Sequence, residues 1–157
     1  MTIKEINGNI LDSTAEIIMH QVNCQRKMGS GVAKAIKDKW PIVFEKYDFC
    51  VKNSIVPNLL GKIQAVKVSD TQTVFNLFAQ EYYGYDKRRY TSYDAIDSCL
   101  KKAAKYCAEH GVKAIAMPYH MSCDRGGANW NIIMEMIKEH FANVDVIIEQ
   151  WKYDGNK

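Results

Sequence analysis

Apolar positions along this chain recur with two periods, and the switches between them mark the elements. Short runs rich in β-branched residues predict strands over residues 3–10, 16–22, 62–69, 73–80, 113–119 and 144–151. After the second strand, Val32, Ile36, Trp40, Val43 and Tyr47 recur at helical spacing, and Pro41 should kink that helix or split it after Trp40. Ile96, Leu100, Ala103, Ala104 and Cys107 share one face of a helix over 92–110, closed by Gly111. A further helix over 129–141 turns Ile133, Met136, Ile137 and Phe141 inward. Residues 58–61 read as a turn, and 70–72 join two strands closely enough for an antiparallel hairpin. Strands alternate with helices, which predicts the α/β class, a three-layer α/β/α arrangement around a mixed central sheet.

Two of these strands run into glycine-bearing loops that open helices. The first loop is Met28-Gly29-Ser30-Gly31 and the second is Ser122-Cys123-Asp124-Arg125-Gly126-Gly127. Glycine lets a backbone approach a ligand closely, and a helix start presents unpaired N–H groups to an anion, with Ser30 a candidate N-cap. The first loop lacks the terminal Gly-Lys-Ser/Thr of a Walker loop, and Lys34 stands where a dinucleotide fingerprint needs its third glycine. In an open α/β sheet, ligands sit beyond the carboxyl ends of the strands, so two such loops could grip two phosphates. A pair of tight turns that bind nothing is the plain alternative.

Composition narrows this only a little. At 157 residues the chain suits one domain over 1–153 with a loose tail at 154–157. A net charge of +3 is compatible with an anionic ligand and too small to argue for nucleic acid by itself. No apolar run approaches the ~20 residues of a membrane span. Five cysteines without a CxxC pair fit a reduced, cytoplasmic chain, and no His/Cys/Asp/Glu cluster has metal-ligand spacing, so neither metal nor cofactor is expected. The run Lys87-Arg88-Arg89 among Tyr82, Tyr83, Tyr85 and Tyr90 reads as an exposed loop over 81–90, a lid or a stacking surface.

Taken together, Gly8-Asn9-Ile10-Leu11, Asn23, Gly29-Ser30-Gly31-Val32-Ala33-Lys34-Ala35-Ile36 and Met117-Pro118 before Ser122-Cys123-Asp124-Arg125-Gly126-Gly127-Ala128-Asn129-Trp130 resemble the macrodomain family, whose members bind ADP-ribose. The wording is similar to the branch with the yeast ADP-ribose-1″-phosphate phosphatase and the human terminal ADP-ribose-protein glycohydrolase, where small phage-like proteins also belong. The resemblance implies that Asn9 and Ile10 seat adenine, Asn9 standing where the family usually has Asp. It implies that Asn23 faces the distal ribose. It implies one diphosphate loop in Gly29, Ser30, Gly31 and Val32 and another in Ser122, Cys123, Arg125, Gly126 and Gly127. Ser122 replaces a common glycine, and His120 adds a titrating group nearby.

For chemistry, Asp124 falls at the acidic catalytic position of the branch, and His20 matches a histidine of its phosphatase members. Gln80 stands where the glycohydrolases carry a nucleophilic lysine. The expectation is a monomeric hydrolase that removes phosphate from ADP-ribose-1″-phosphate, with Asp124 activating water and His20 donating a proton. Removal of ADP-ribose from modified protein or nucleic acid is the first alternative. A non-catalytic ADP-ribose reader is the second, and an RNA-binding module built on the loop at 87–90 is a third.

Overall fold

The computed structural model describes residues 1–84, 86 and 88–153, so the expected tail at 154–157 and the side chains of Tyr85 and Lys87 lie outside the described residues. Among the described residues six strands form: β1 (Thr2–Asn7), β2 (Ile17–Val22), β3 (Ile63–Lys67), β4 (Thr73–Phe78), β5 (Ala114–Pro118) and β6 (Ile147–Lys152). They join in one sheet of order β1-β6-β5-β2-β4-β3. Every pairing is parallel except β3 with β4, which is the hairpin expected from the short link at 70–72.

The helices are α1 (Gly31–Lys39), α2 (Pro41–Lys52), α3 (Val56–Leu59), α4 (Tyr93–His110) and α5 (Trp130–His140). Alternation along the strands splits the core in two. Ile17, Met19, Phe75, Leu77, Ile115 and Met117 pack against Ile96, Leu100 and Ile133 of α4 and α5. Ile18, Val22, Val74, Phe78 and Ala116 pack against Ile36, Val43 and Tyr47 of α1 and α2. The result is the three-layer α/β/α fold.

Local chemistry sets the ends of the helices. Pro41 cannot donate to α1, so Trp40 leaves helical geometry (φ −127°, ψ 81°) and a separate helix begins. Ser92 caps α4 by accepting from the Ala95 N–H, and Gly111 closes it at φ 60°. Two expectations are corrected. The first strand stops at Asn7, and Ile10 lies in a 3-10 turn (Ile10–Asp12) whose Leu11 N–H is accepted by the Asn9 side chain. Residues 56–59 form the one-turn helix α3, with Pro57 in its first turn, ahead of the positive-φ Gly61.

Candidate functional site

Because β2, β4 and β5 are parallel neighbours, their carboxyl ends open on one edge of the sheet, and a cleft of about 510 Å³ lies there. Both glycine-bearing loops line it. The first contributes Asn23, Gly29, Ser30, Gly31 and Val32, and the second contributes Ser122, Asp124, Arg125 and Gly126. His20, Gln21, Gln80, Tyr83, Tyr119 and His120 complete much of the wall. Four expected site residues do not line the cleft: Asn9 and Ile10, and within the second loop Cys123 and Gly127. The Asn9 side chain caps the 3-10 turn and Ile10 is buried in the core, so both already have structural duties.

The first loop is tied to α2. The buried Tyr47 hydroxyl reaches the Asn23 backbone oxygen at 2.7 Å and its Oδ1 at 2.8 Å, and it accepts from the Lys27 N–H at 3.2 Å. Asn23 Oδ1 also accepts from Gln25 N, and its Nδ2 donates to Lys27 O, so this amide shapes the loop as well as lining the cleft. Arg26, at φ 62°, is held by the Asp48 carboxylate at 2.6 Å. Gly31 takes φ 59° at the start of α1, a conformation that favours glycine. Ser30 stands in the N-cap position but makes no side-chain cap; its Oγ instead accepts from Arg125 Nη1 at 2.9 Å. This correction is informative, because the bond runs from one glycine loop to the other.

The second loop is fixed by a ring of side chains centred on Gln21. Ser122 Oγ donates to Gln21 Oε1 at 2.5 Å, and Gln21 Nε2 donates to Thr91 Oγ1 at 2.8 Å and to Gln80 Oε1 at 2.6 Å. Thr91 Oγ1 closes the ring by donating to Ser122 O at 2.9 Å. Ser122 sits at φ 75° and His120 at φ 61°, so a serine holds the left-handed backbone of a glycine because its hydroxyl and carbonyl are both bound. A Cβ on Gly126 would run into Thr91 Oγ1, the Ser122 carbonyl oxygen and Gln21 Nε2. Gln21, Thr91 and Tyr119 were not singled out from the sequence. For Gln21 the signal was a polar residue near the end of an apolar strand; Thr91, outside the named strands, carried none.

The expected catalytic pair is brought to one cleft but into different surroundings. His20 is buried, with Nε2 2.6 Å from Asn76 Oδ1. Burial lowers its pKa from the ordinary 6.5 to about 4, the hydrogen bond to Asn76 opposing only in part. Burial thereby favours the uncharged ring at neutral pH. Asp124 is 78% exposed at the mouth, and its carboxylate lies 3.8 Å from His120 Nδ1. His120 stacks on Tyr119 (centroids 4.2 Å) and tilts against Trp130 (5.1 Å). The thiols beside the loops are quiet: burial pushes Cys24 up to about 11, and burial with the Asp124 charge does the same to Cys123. No group of three or more His, Cys, Asp or Glu among the described residues could hold a metal ion.

This fold, with its cleft between two helix-opening glycine loops, is that of a macrodomain. Residues 19–137 match the family model described as Macro domain, and the chain belongs to that family. It is 25% identical over 156 residues to a 17.5 kDa protein of Enterobacteria phage T4, covering 97% of this chain and 98% of that one. It is 22% identical over 153 residues to a DNA ADP-ribosyl glycohydrolase of Thermus aquaticus, covering 97% of this chain but 41% of that relative. It thus spans about two fifths of that relative's length. A stretch of 61 residues is 36% identical to an ADP-ribose 1″-phosphate phosphatase of Aspergillus oryzae, 38% of this chain and 30% of that one. Among solved structures, a Bacteroides thetaiotaomicron protein superposes with a TM-score of 0.84 at 27% identity, covering 97% and 98% of the two chains. The macrodomain of Mycobacterium tuberculosis DarG does so with 0.78 at 22%, covering 95% and 97%.

Proposed function

We propose that this chain binds ADP-ribose in the cleft and hydrolyses its 1″-phosphate ester. The observation that carries this is that two glycine loops, from the ends of neighbouring parallel strands, line one cleft and are spanned by the Arg125–Ser30 bond. Such loops offer backbone N–H groups to the diphosphate without a metal, and Arg125 adds a cation suited to phosphate oxygens. Asp124, exposed at the mouth beside His120, orients the attacking water. The products are ADP-ribose and inorganic phosphate.

The position after β4 supports a phosphatase over a lysine-based glycohydrolase. Gln80 lines the cleft there, its oxygen held by Gln21 and its Nε2 donating to Tyr82 O. One observation favours a second reading, release of ADP-ribose from nucleic acid. Tyr82 and Tyr83 are 56% and 46% exposed at the rim, and the Arg88 and Arg89 guanidinium groups lie over Tyr90 and Tyr93. Stacked rings and arginines beside a cleft suit a single strand.

The deciding experiment offers ADP-ribose-1″-phosphate and ADP-ribosylated DNA and protein to the same preparation, and follows phosphate and free ADP-ribose. Phosphate release from the first, at least 10²-fold reduced in Asp124→Ala, is the expected result. Release from DNA alone favours the second reading. Tight binding with no turnover makes the chain a reader.

A further inference from the structure

A line of polar side chains runs along one face of the sheet, from the half-buried Gln64 beside α2 to the buried Asn76 and His20. It starts at the Lys46 backbone carbonyl, which can only accept. Gln64 Nε2 therefore donates to it, at 3.0 Å, and Gln64 Oε1 is left as an acceptor. Asn76 Nδ2 donates to that oxygen at 3.0 Å, which turns Asn76 Oδ1 toward His20. An amide oxygen carries no proton, so the proton in the 2.6 Å contact sits on His20 Nε2. The buried ring is neutral, and its Nδ1 then bears a bare lone pair. That Nδ1 is the one buried side-chain nitrogen or oxygen among the described residues without a hydrogen-bond partner. The residue that carries it forms part of the cleft wall.

The sequence makes this polar line expensive. His20 directly follows Ile17-Ile18-Met19, and Asn76 sits within Val74-Phe75-Asn76-Leu77-Phe78, register partners in adjacent parallel strands. Leucine at 20 and 76 would fill the same place without desolvating an imidazole and an amide. A fixed, unpaired acceptor on a residue of the cleft wall is what the line achieves. Phosphate oxygens offer it no proton at neutral pH, whereas a sugar hydroxyl does.

We infer that His20 is an acceptor subsite for a hydroxyl of the distal ribose, and that Asn76 and Gln64 are positioning residues that hold its tautomer from the backbone of α2. This rests on the reading of the cleft as an ADP-ribose site. It adds that the ring acts through its lone pair, and that residues under α2, away from the ligand, decide whether it can.

Two-bond ¹H–¹⁵N correlation spectra of the full chain at pH 7 report the tautomer directly, with His20 assigned through His20→Gln. The expected free-state signature is a protonated Nε2 and an unprotonated Nδ1. Saturating ADP-ribose should move the Nδ1 resonance upfield, and AMP, which lacks the distal ribose, should not. Gln64→Leu releases the Asn76 amide to turn over, so the tautomer should become mixed and ADP-ribose should bind roughly tenfold more weakly, the scale of one hydrogen bond. Gln64→Glu still accepts from Asn76 and should keep both the tautomer and the affinity. An Nδ1-protonated ring in the free protein overturns the inference, whatever the variants do. So does an unmoved Nδ1 when the Gly31 and Gly126 amides respond to ADP-ribose, or a Nδ1 that responds equally to AMP. If no loop amide responds to ADP-ribose, the reading of the cleft fails and the subsite falls with it.

Discussion

His20 is the residue at which burial and chemistry meet, and it leaves a signature in the stability of the whole protein. Its folded pKa of about 4 lies below the ordinary 6.5, so between those values the unfolded chain binds more protons than the folded one. Stability from this group is therefore complete above pH 6.5 and lost as the pH falls toward 4. The gap corresponds to roughly 3 kcal/mol at the acid end. Urea unfolding at pH 7 and pH 4.5 should show a loss in the parent that is much smaller in His20→Gln; an equal loss in both would exclude His20 as its source. A histidine at a strand end was visible in the sequence, but its neutrality was not. Neutrality comes from burial in the folded core, against which the Asn76 bond works, and the tautomer depends on Asn76, 56 residues away in sequence, and on Gln64 beyond it. Likewise Ser122 could be seen to replace a glycine, yet only the Gln21 ring explains how serine keeps φ 75°.

At the scale of elements, what the chain's pattern predicts holds where the signal is local. The two helix periods, the break at Trp40-Pro41, the Gly111 stop and the β3–β4 hairpin each follow from neighbours within a few residues. The one-turn helix at 56–59 carries no pattern of its own, because four residues complete no hydrophobic period, and Ile10 reads as a strand end because one apolar residue has no period at all. Both glycine loops were legible, but what holds each was not. This difference is testable with alanine. A Cβ on Gly29 would meet nothing within 4 Å, and its φ is not in the left-handed region, whereas one on Gly126 would strike Thr91, Ser122 and Gln21. Gly29→Ala should leave the melting temperature within about 1 °C of the parent, the scale of a neutral surface change. Gly126→Ala should destabilise by about 1–3 kcal/mol, the usual cost of overpacking a fixed site. Calorimetry on both proteins decides the matter, and a neutral Gly126→Ala would mean that the second loop is freer than the Gln21 ring implies.

The whole molecule joins these parts through the order of its strands. Placing β2 between β4 and β5 brings together loops that lie about a hundred residues apart, and Arg125 of one bonds Ser30 of the other. If this assembly grips a diphosphate, ligand binding must raise the stability of the entire fold, because the unfolded chain has no cleft. ADP-ribose at a hundredfold excess over its Kd contributes about 2.7 kcal/mol, which is roughly 5–10 °C in Tm for a chain of this size. AMP, with one phosphate and one ribose, should give less. Gly31→Glu isolates the grip from the fold. Its Cβ meets no atom within 4 Å, so the cost to the free protein is the left-handed backbone at φ 59°, on the order of 1–2 kcal/mol. A carboxylate at the first residue of α1 is also welcome to the helix dipole. The same carboxylate occupies the anion's place and repels it. The variant should therefore melt a few degrees below the parent and show no ADP-ribose shift. A shift of parental size in Gly31→Glu would place the ligand elsewhere, and with it the function proposed for the cleft.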